Sequence, residues 1–177
     1  LHGGVGDKYG LEVAIILRLF VKIGLILVFC FYLLLLVKQV LFKYPDAISH
    51  FTLSYHGPYH DRHNFIPFKT IIYYLFLADI SFNIRVDNLF GNVMGFFPFG
   101  FVLPLLSKRF LRMNKVAAAT FGLSLTFEWL QLIFKIGSFD VDDLILNTLG
   151  GLLGYLSIHL ARSLIKDKWG KQKDTSI

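Results

Sequence analysis

A single cysteine, Cys30, is all that the 177 residues provide, so no intrachain disulfide is available and a secreted disulfide scaffold is excluded. Charge is scarce as well: 17% of residues are Asp, Glu, Lys or Arg, against about 25% in an ordinary soluble domain. With 55% hydrophobic and 16% aromatic residues and a mean hydropathy of +0.59, an ordinary soluble enzyme and a disordered regulator are also excluded. Missing too are any Gly-rich phosphate loop, nucleophile elbow, HExxH-type metal motif, fixed-period repeat or low-complexity tract. The net charge of +6 raises nucleic acid as a partner. In so apolar a chain the positive-inside bias of membrane proteins explains it better, and no nucleic acid is expected.

What is present is concentrated. Residues 23–37 read IGLILVFCFYLLLLV, fifteen apolar or small residues without a break. Crossing a hydrocarbon core takes about 20 residues at about 1.5 Å each. Four segments qualify, at about 23–42, 88–106, 116–136 and 144–162. The expected fold is all-α: a polytopic integral membrane protein of about four transmembrane helices, forming one transmembrane domain over 11–162. The first span is flanked by Arg18 and Lys22 on one side and Lys38 and Lys43 on the other. No small-residue cleavage site follows it, so it is not a signal peptide. Residues 70–80 (TIIYYLFLADI) are too short to span and are expected to form a short re-entrant or interfacial helix. Residues 1–10, LHGGVGDKYG, lack an initiator Met and read as a tag scar or disordered, processed end.

Charge placement orients the spans. Lys108, Arg109, Arg112 and Lys115 fill one connection, Arg162, Lys166, Lys168, Lys171 and Lys173 follow the last span, and Lys8, Arg18 and Lys22 precede the first. Only Asp7, Glu12, Asp167 and Asp174 oppose them. The other side carries Lys38, Lys43, Arg62, Lys69, Arg85 and Lys135 against seven Asp. The cation-rich side is expected to be cytoplasmic. Both termini then lie inside a bacterial plasma membrane, the 43–87 connection faces outward, and 163–177 is a basic cytoplasmic tail near anionic headgroups.

Ionisable residues inside a membrane are costly and usually face a bundle interior or a wet cavity. The third span carries Glu128 in line with Ser124, Gln131 and Lys135, one polar stripe on an otherwise apolar helix. Helix rise puts Glu128 roughly 12 Å below the outer exit. The bland alternative is a Glu bonded to a neighbouring helix. The second span opens with Asn88 and Asn92 one turn apart, beside the small-residue pair Gly91 and Gly95. Pro98 and Pro104 sit in the same run, and Pro98 is expected to kink it.

Before the fourth span stands Phe139-Asp140-Val141-Asp142-Asp143. Asp142 or Asp143 can cap the helix N-terminus, which accounts for one carboxylate but not three. Asn147 and Gly151 follow at one-turn intervals, and Gly150 and Gly154 form a second close-packing pair; the two glycine faces together offer a route to a homo-oligomer. In the outer connection Arg62, Asn64 and Lys69 surround Pro67. A guanidinium there can pair with an Asp or capture an anion. His50, His56, His60 and His63 match no zinc spacing, so no metal and no cofactor is expected; they can make the loop sensitive to mild acidity.

The runs RHNFIPFKTI, NLFGNVMGFFPFGFVLPLL, SLTFEWLQLIF and FDVDDLILNTLGGLLGY together resemble the VanZ-like family of bacterial membrane proteins, over about residues 62–155. The resemblance implies signature polar residues at Arg62, Asn64, Asn92, Glu128, Gln131, Asp140, Asp142, Asp143 and Asn147. It also implies a link to the cell envelope and to resistance against teicoplanin-type glycopeptide antibiotics.

The expected function is binding of a membrane lipid or lipid-linked cell-wall precursor in an outward-facing polar pocket. Asn88, Asn92, Glu128, Gln131, Asp140, Asp142, Asp143 and Asn147 would form its walls, with Arg62, Asn64 and Lys69 above. Contact with a glycopeptide drug would be indirect. The alternative is an integral-membrane hydrolase or transferase acting on a lipid headgroup, with Glu128, Asp140 and Asp143 as candidate acid and base. No covalent nucleophile is evident, so water or a substrate hydroxyl would attack. A third reading is a structural or transport element, made improbable for a lone chain by four spans and no repeat.

Overall fold

The computed structural model describes residues 3–41, 63–77 and 82–174. Among the described residues five helices follow one another: α1 (Gly3–Leu41), α2 (Lys69–Ile72), α3 (Phe82–Leu106), α4 (Met113–Phe134) and α5 (Val141–Asp174). The short α2 runs on into a π-helical turn, Tyr73–Leu77, and a 3₁₀ turn, Lys108–Leu111, joins α3 to α4. Four of the helices are long and apolar enough to cross a membrane, over Tyr9–Leu41, Val86–Leu106, Met113–Phe134 and Val141–Lys166. The all-α expectation with about four spans and a shorter helix is met. Two helices outrun their expected ends because the flanking charged residues, Arg18 and Lys22 in α1 and the Lys-rich run after Arg162 in α5, are themselves good helix formers.

The chain divides into two compact units, Leu1–Leu35 and Leu36–Ile177. The first unit is most of α1. It contains no proline, most of its large apolar side chains are exposed, and Phe29 stacks on Tyr32 at 5.9 Å between ring centroids.

The second unit is built on α5, which packs against α3 and α4. Three glycines of α5 bring the backbones together. A Cβ on Gly150 would overlap the Val93 carbonyl, one on Gly154 the Phe97 carbonyl, and one on Gly151 the Thr120 side chain of α4. From the other side, a Cβ on Gly100 would overlap the Gly151 carbonyl. Apolar burial drives little association between helices surrounded by lipid tails, so such close van der Waals contact is what holds them. Gly150 and Gly154 thus pack against α3 within the chain. A Cβ on Gly91 of the first glycine pair would meet nothing within 4 Å among the described residues, and one on Gly95 would meet Leu36.

Around these contacts lie Phe96, Phe99, Leu103, Val116, Phe127, Leu144 and Tyr155, all buried, with Phe96 edge-on to Phe127 at 6.1 Å. At the far end, Tyr155 donates to the Leu111 carbonyl of the 3₁₀ turn (2.8 Å) and Arg162 to the Pro104 carbonyl in the last turn of α3 (3.1 Å), satisfying acceptors that the helix end leaves open. The helix α3 is continuous through Pro98 and Pro104.

Candidate functional site

The polar residues singled out in the sequence gather at the end of the second unit where α4 stops and α5 starts, and they divide into two groups. The first is a clamp that fastens residues 63–72 to the start of α5. Asn64 forms a single parallel bridge with Asp140: its N–H donates to the Phe139 carbonyl at 2.8 Å, and Val141 N–H donates to its carbonyl at 3.0 Å. The Asn64 side chain donates to Asp140 Oδ1 (2.8 Å) and Thr70 Oγ1 (3.0 Å), and its Oδ1 accepts from Ile66 N–H (3.1 Å). Thr70 Oγ1 in turn donates to Asp140 Oδ2 at 2.6 Å.

Asp142 is wholly buried, and its carboxylate accepts backbone N–H groups from Phe68 (2.5 Å), Thr70 (2.7 Å) and Ile71 (3.1 Å). It caps α2. The cap of its own helix is Asp140, whose Oδ1 accepts Asp142 N–H at 2.8 Å. That corrects the expectation that Asp142 or Asp143 caps α5. Phe68 enters the left-handed region (φ 67°), which costs a non-glycine residue about 1–2 kcal/mol and helps aim its N–H at Asp142.

Glu128 is buried on α4, and its Oε2 accepts the Asp140 N–H at 2.8 Å. The Glu thus braces the clamp from beneath. His63 Nδ1 accepts from Phe139 N–H at 3.0 Å. Lys69 is exposed at the start of α2. Arg62, His50, His56 and His60 lie outside the described residues.

The second group lines a cavity of about 300 Å³ bounded by the last turn of α1 and by α3, α4 and α5. Its polar wall includes Asn88, Asn92, Gln131, Asp143 and Asn147. Asn92 Nδ2 donates to Asp143 Oδ1, Gln131 Nε2 to the Val40 carbonyl at 2.8 Å, and Asn147 Nδ2 to Ser124 Oγ at 2.8 Å. The Asn147 Oδ1 is buried with no hydrogen-bond partner among the described residues. A second cavity of about 210 Å³ adjoins it, sharing Asn88, Gln131 and Asp143 and adding Asp140, Tyr73 and Tyr74. Glu128 and Asp142 line neither cavity.

The stripe on α4 is buried at Ser124, Glu128 and Gln131 and extends back to Thr120. Lys135 is not part of it. The helix ends at Phe134, and Lys135 adopts the left-handed conformation (φ 55°) with its N–H on the Gln131 carbonyl, so its exposed side chain leaves the helical register. Thr70 escaped the sequence reading, although a threonine at the head of a short helix is the residue type that competes for local backbone and side-chain hydrogen bonds. Gln39 and Val40 of α1 also line the larger cavity, and nothing in their own sequence marks them.

Fold and site together define a helical membrane protein with polar cavities at one end of its bundle. The family model described as VanZ/LLP1 matches residues 29–162, and the chain belongs to that family. The match reaches upstream into α1, beyond the motifs that carried the resemblance. The chain is 38% identical over 125 residues to Protein VanZ of Enterococcus faecium, an alignment that covers 70% of this chain and 66% of that relative. This chain therefore spans a little less than two thirds of the relative's length. No solved structure matches.

Proposed function

We propose that this protein is a multi-pass component of the bacterial cell envelope that binds an envelope lipid or lipid-linked cell-wall precursor in its paired polar cavities, and that this binding underlies tolerance to teicoplanin-type glycopeptides. The observation that carries the reading is the larger cavity: about 300 Å³ lined by side-chain amides and carboxylates at the end of apolar helices. That volume is at the lower edge of the roughly 300–1,000 Å³ typical of small-molecule sites. Polar walls among membrane helices are expensive unless they serve a ligand or a packing role. The clamp and the glycine contacts carry packing here, and Asn92, Gln131 and Asn147 add bonds between helices at the cavity wall, but those bonds leave the cavity itself unfilled.

The positive-inside bias supports cytoplasmic termini, with the Lys108–Lys115 connection inside and the cavities open to the outer leaflet. Drug access would fall because the bound component is occupied or altered at the surface. In the rival acid–base reading Glu128 would do chemistry; its hydrogen bond to the Asp140 N–H and its absence from both cavity walls favour bracing instead.

The test is glycopeptide tolerance in cells expressing wild type, Gly91→Leu or Asn92→Leu at matched membrane levels. Gly91 lines the larger cavity, and a Cβ there meets nothing within 4 Å, so the leucine enters open space. Loss of tolerance and of altered drug binding at the surface is expected. Wild-type tolerance in both variants would overturn the reading.

A further inference from the structure

The charge and hydrogen-bond balance of the two cavities narrows the ligand chemistry, on the reading that they are a binding site. Asp87 and Asp143 line the larger cavity, Asp140 and Asp143 the smaller, and among the described residues neither is lined by Lys or Arg. A phosphate or carboxylate placed there would meet like charge and, among the described lining residues, no cationic partner. Asn147, on the wall of the larger cavity, is 3% exposed, and its Oδ1 is a buried acceptor without a donor among the described residues. Such an atom is costly unless a ligand or water supplies a proton. In the smaller cavity Tyr73 and Tyr74 stand edge to face at 5.7 Å, presenting aromatic surface of the kind that attracts cations.

We infer that the cavities recognise a primary ammonium group, with the carboxylates supplying charge and the Asn147 carbonyl accepting an N–H. Two sources share that chemistry: the headgroup of an aminoalkyl phospholipid, and an amino group on the peptide of a wall precursor. A quaternary ammonium carries the charge but no N–H, and an anionic polyol headgroup carries hydroxyls with the wrong charge, so both should bind less well.

The experiment is native mass spectrometry of the full chain in detergent, titrated with phosphatidylethanolamine, phosphatidylcholine and phosphatidylglycerol. Phosphatidylethanolamine is expected to bind about tenfold more tightly than the other two, a difference of about 1.4 kcal/mol. Asp143→Asn should abolish that preference. Because Asp143 accepts from Asn92 and its loss can disturb folding, Asp87→Asn, at an exposed position, is the second variant and should weaken the preference. Competition by soluble glycerophosphoethanolamine assigns the lipid headgroup as source, and competition by a lysine-containing pentapeptide assigns the peptide amine; failure of both overturns the inference. Phosphatidylglycerol binding as well as or better than phosphatidylethanolamine overturns it too, while leaving the cavity as a site. Undiminished binding of all three lipids to Gly91→Leu removes the cavity itself, and with it the function proposed above.

Discussion

The carboxylate of Asp142, at the start of α5, accepts the backbone N–H of Thr70 at 2.7 Å across 72 positions of sequence. One buried side chain thereby closes the N-terminus of a helix it does not belong to. Helix α2 has only four residues, too few to be stable alone, and its free N–H groups are what Asp142 satisfies. The acidic run before α5 is thus an assembly device first: Asp140 caps its own helix, Asp142 caps α2, and Asp143 is left to face the cavities.

Asp142→Ala should therefore destabilise the protein by about 2 kcal/mol or more, since it orphans three backbone N–H donors whose bonds to the buried carboxylate are partly shielded from solvent. Asp142→Asn keeps one carbonyl acceptor and should lose less. Thermal unfolding in detergent measures the order, and limited proteolysis within 63–77 should speed up in both variants. Equal stability of Asp142→Ala and wild type would show that the cap contributes nothing.

Asn64 offers a sharper contrast. Its Nδ2 donates to Asp140 and Thr70 while its Oδ1 accepts from Ile66 N–H, so both ends of the amide are used. Asn64→Asp keeps the acceptor but removes the donors and sets a third carboxylate beside Asp140 and Asp142. It should be worse than Asn64→Ala, with a loss of about 2–4 kcal/mol. A size-matched residue doing more harm than a truncation is the signature to seek in thermal unfolding.

The glycine contacts predict a different kind of failure. Gly100 and Gly150 meet backbone atoms of the facing helix, not flexible side-chain ends, so Gly100→Ala or Gly150→Ala cannot be absorbed by a rotamer change. Each should cost about 1–3 kcal/mol by overpacking, whereas Gly91→Ala should be neutral or slightly stabilising because the added methyl meets open space. Chemical-denaturant unfolding in mixed micelles ranks the three.

Much of this was legible along single helices. Ser124, Glu128 and Gln131 share a face because side chains recur at i, i+4 and i+7, and all three are buried. The four spans follow from length and apolarity alone. What the sequence did not disclose were the partners. That Asp142 serves α2 depends on residues 68–71 folding back beside α5, and that Gly150 and Gly154 face α3 depends on which helix faces meet. The end of α4 was misread for a local reason: its left-handed terminal residue is Lys135, where glycine is the usual marker, and the glycine present, Gly137, comes two residues later and packs against Gln131.

Glu128 provides the test that separates bracing from chemistry. Its Oε2 accepts the Asp140 N–H at 2.8 Å, and a glutamine offers a carbonyl oxygen at the same reach. Glu128→Gln should therefore keep that bond and most of the stability, while Glu128→Leu leaves the N–H orphaned and should lose about 1–3 kcal/mol. If bracing is its contribution, glycopeptide tolerance at matched protein levels will follow stability: near wild type in the glutamine variant and reduced in the leucine variant. If the carboxyl group takes part in proton transfer, the glutamine variant will be fully folded and inactive. Unfolding curves and tolerance assays on the same two variants decide between these outcomes, because only the second separates folding from activity.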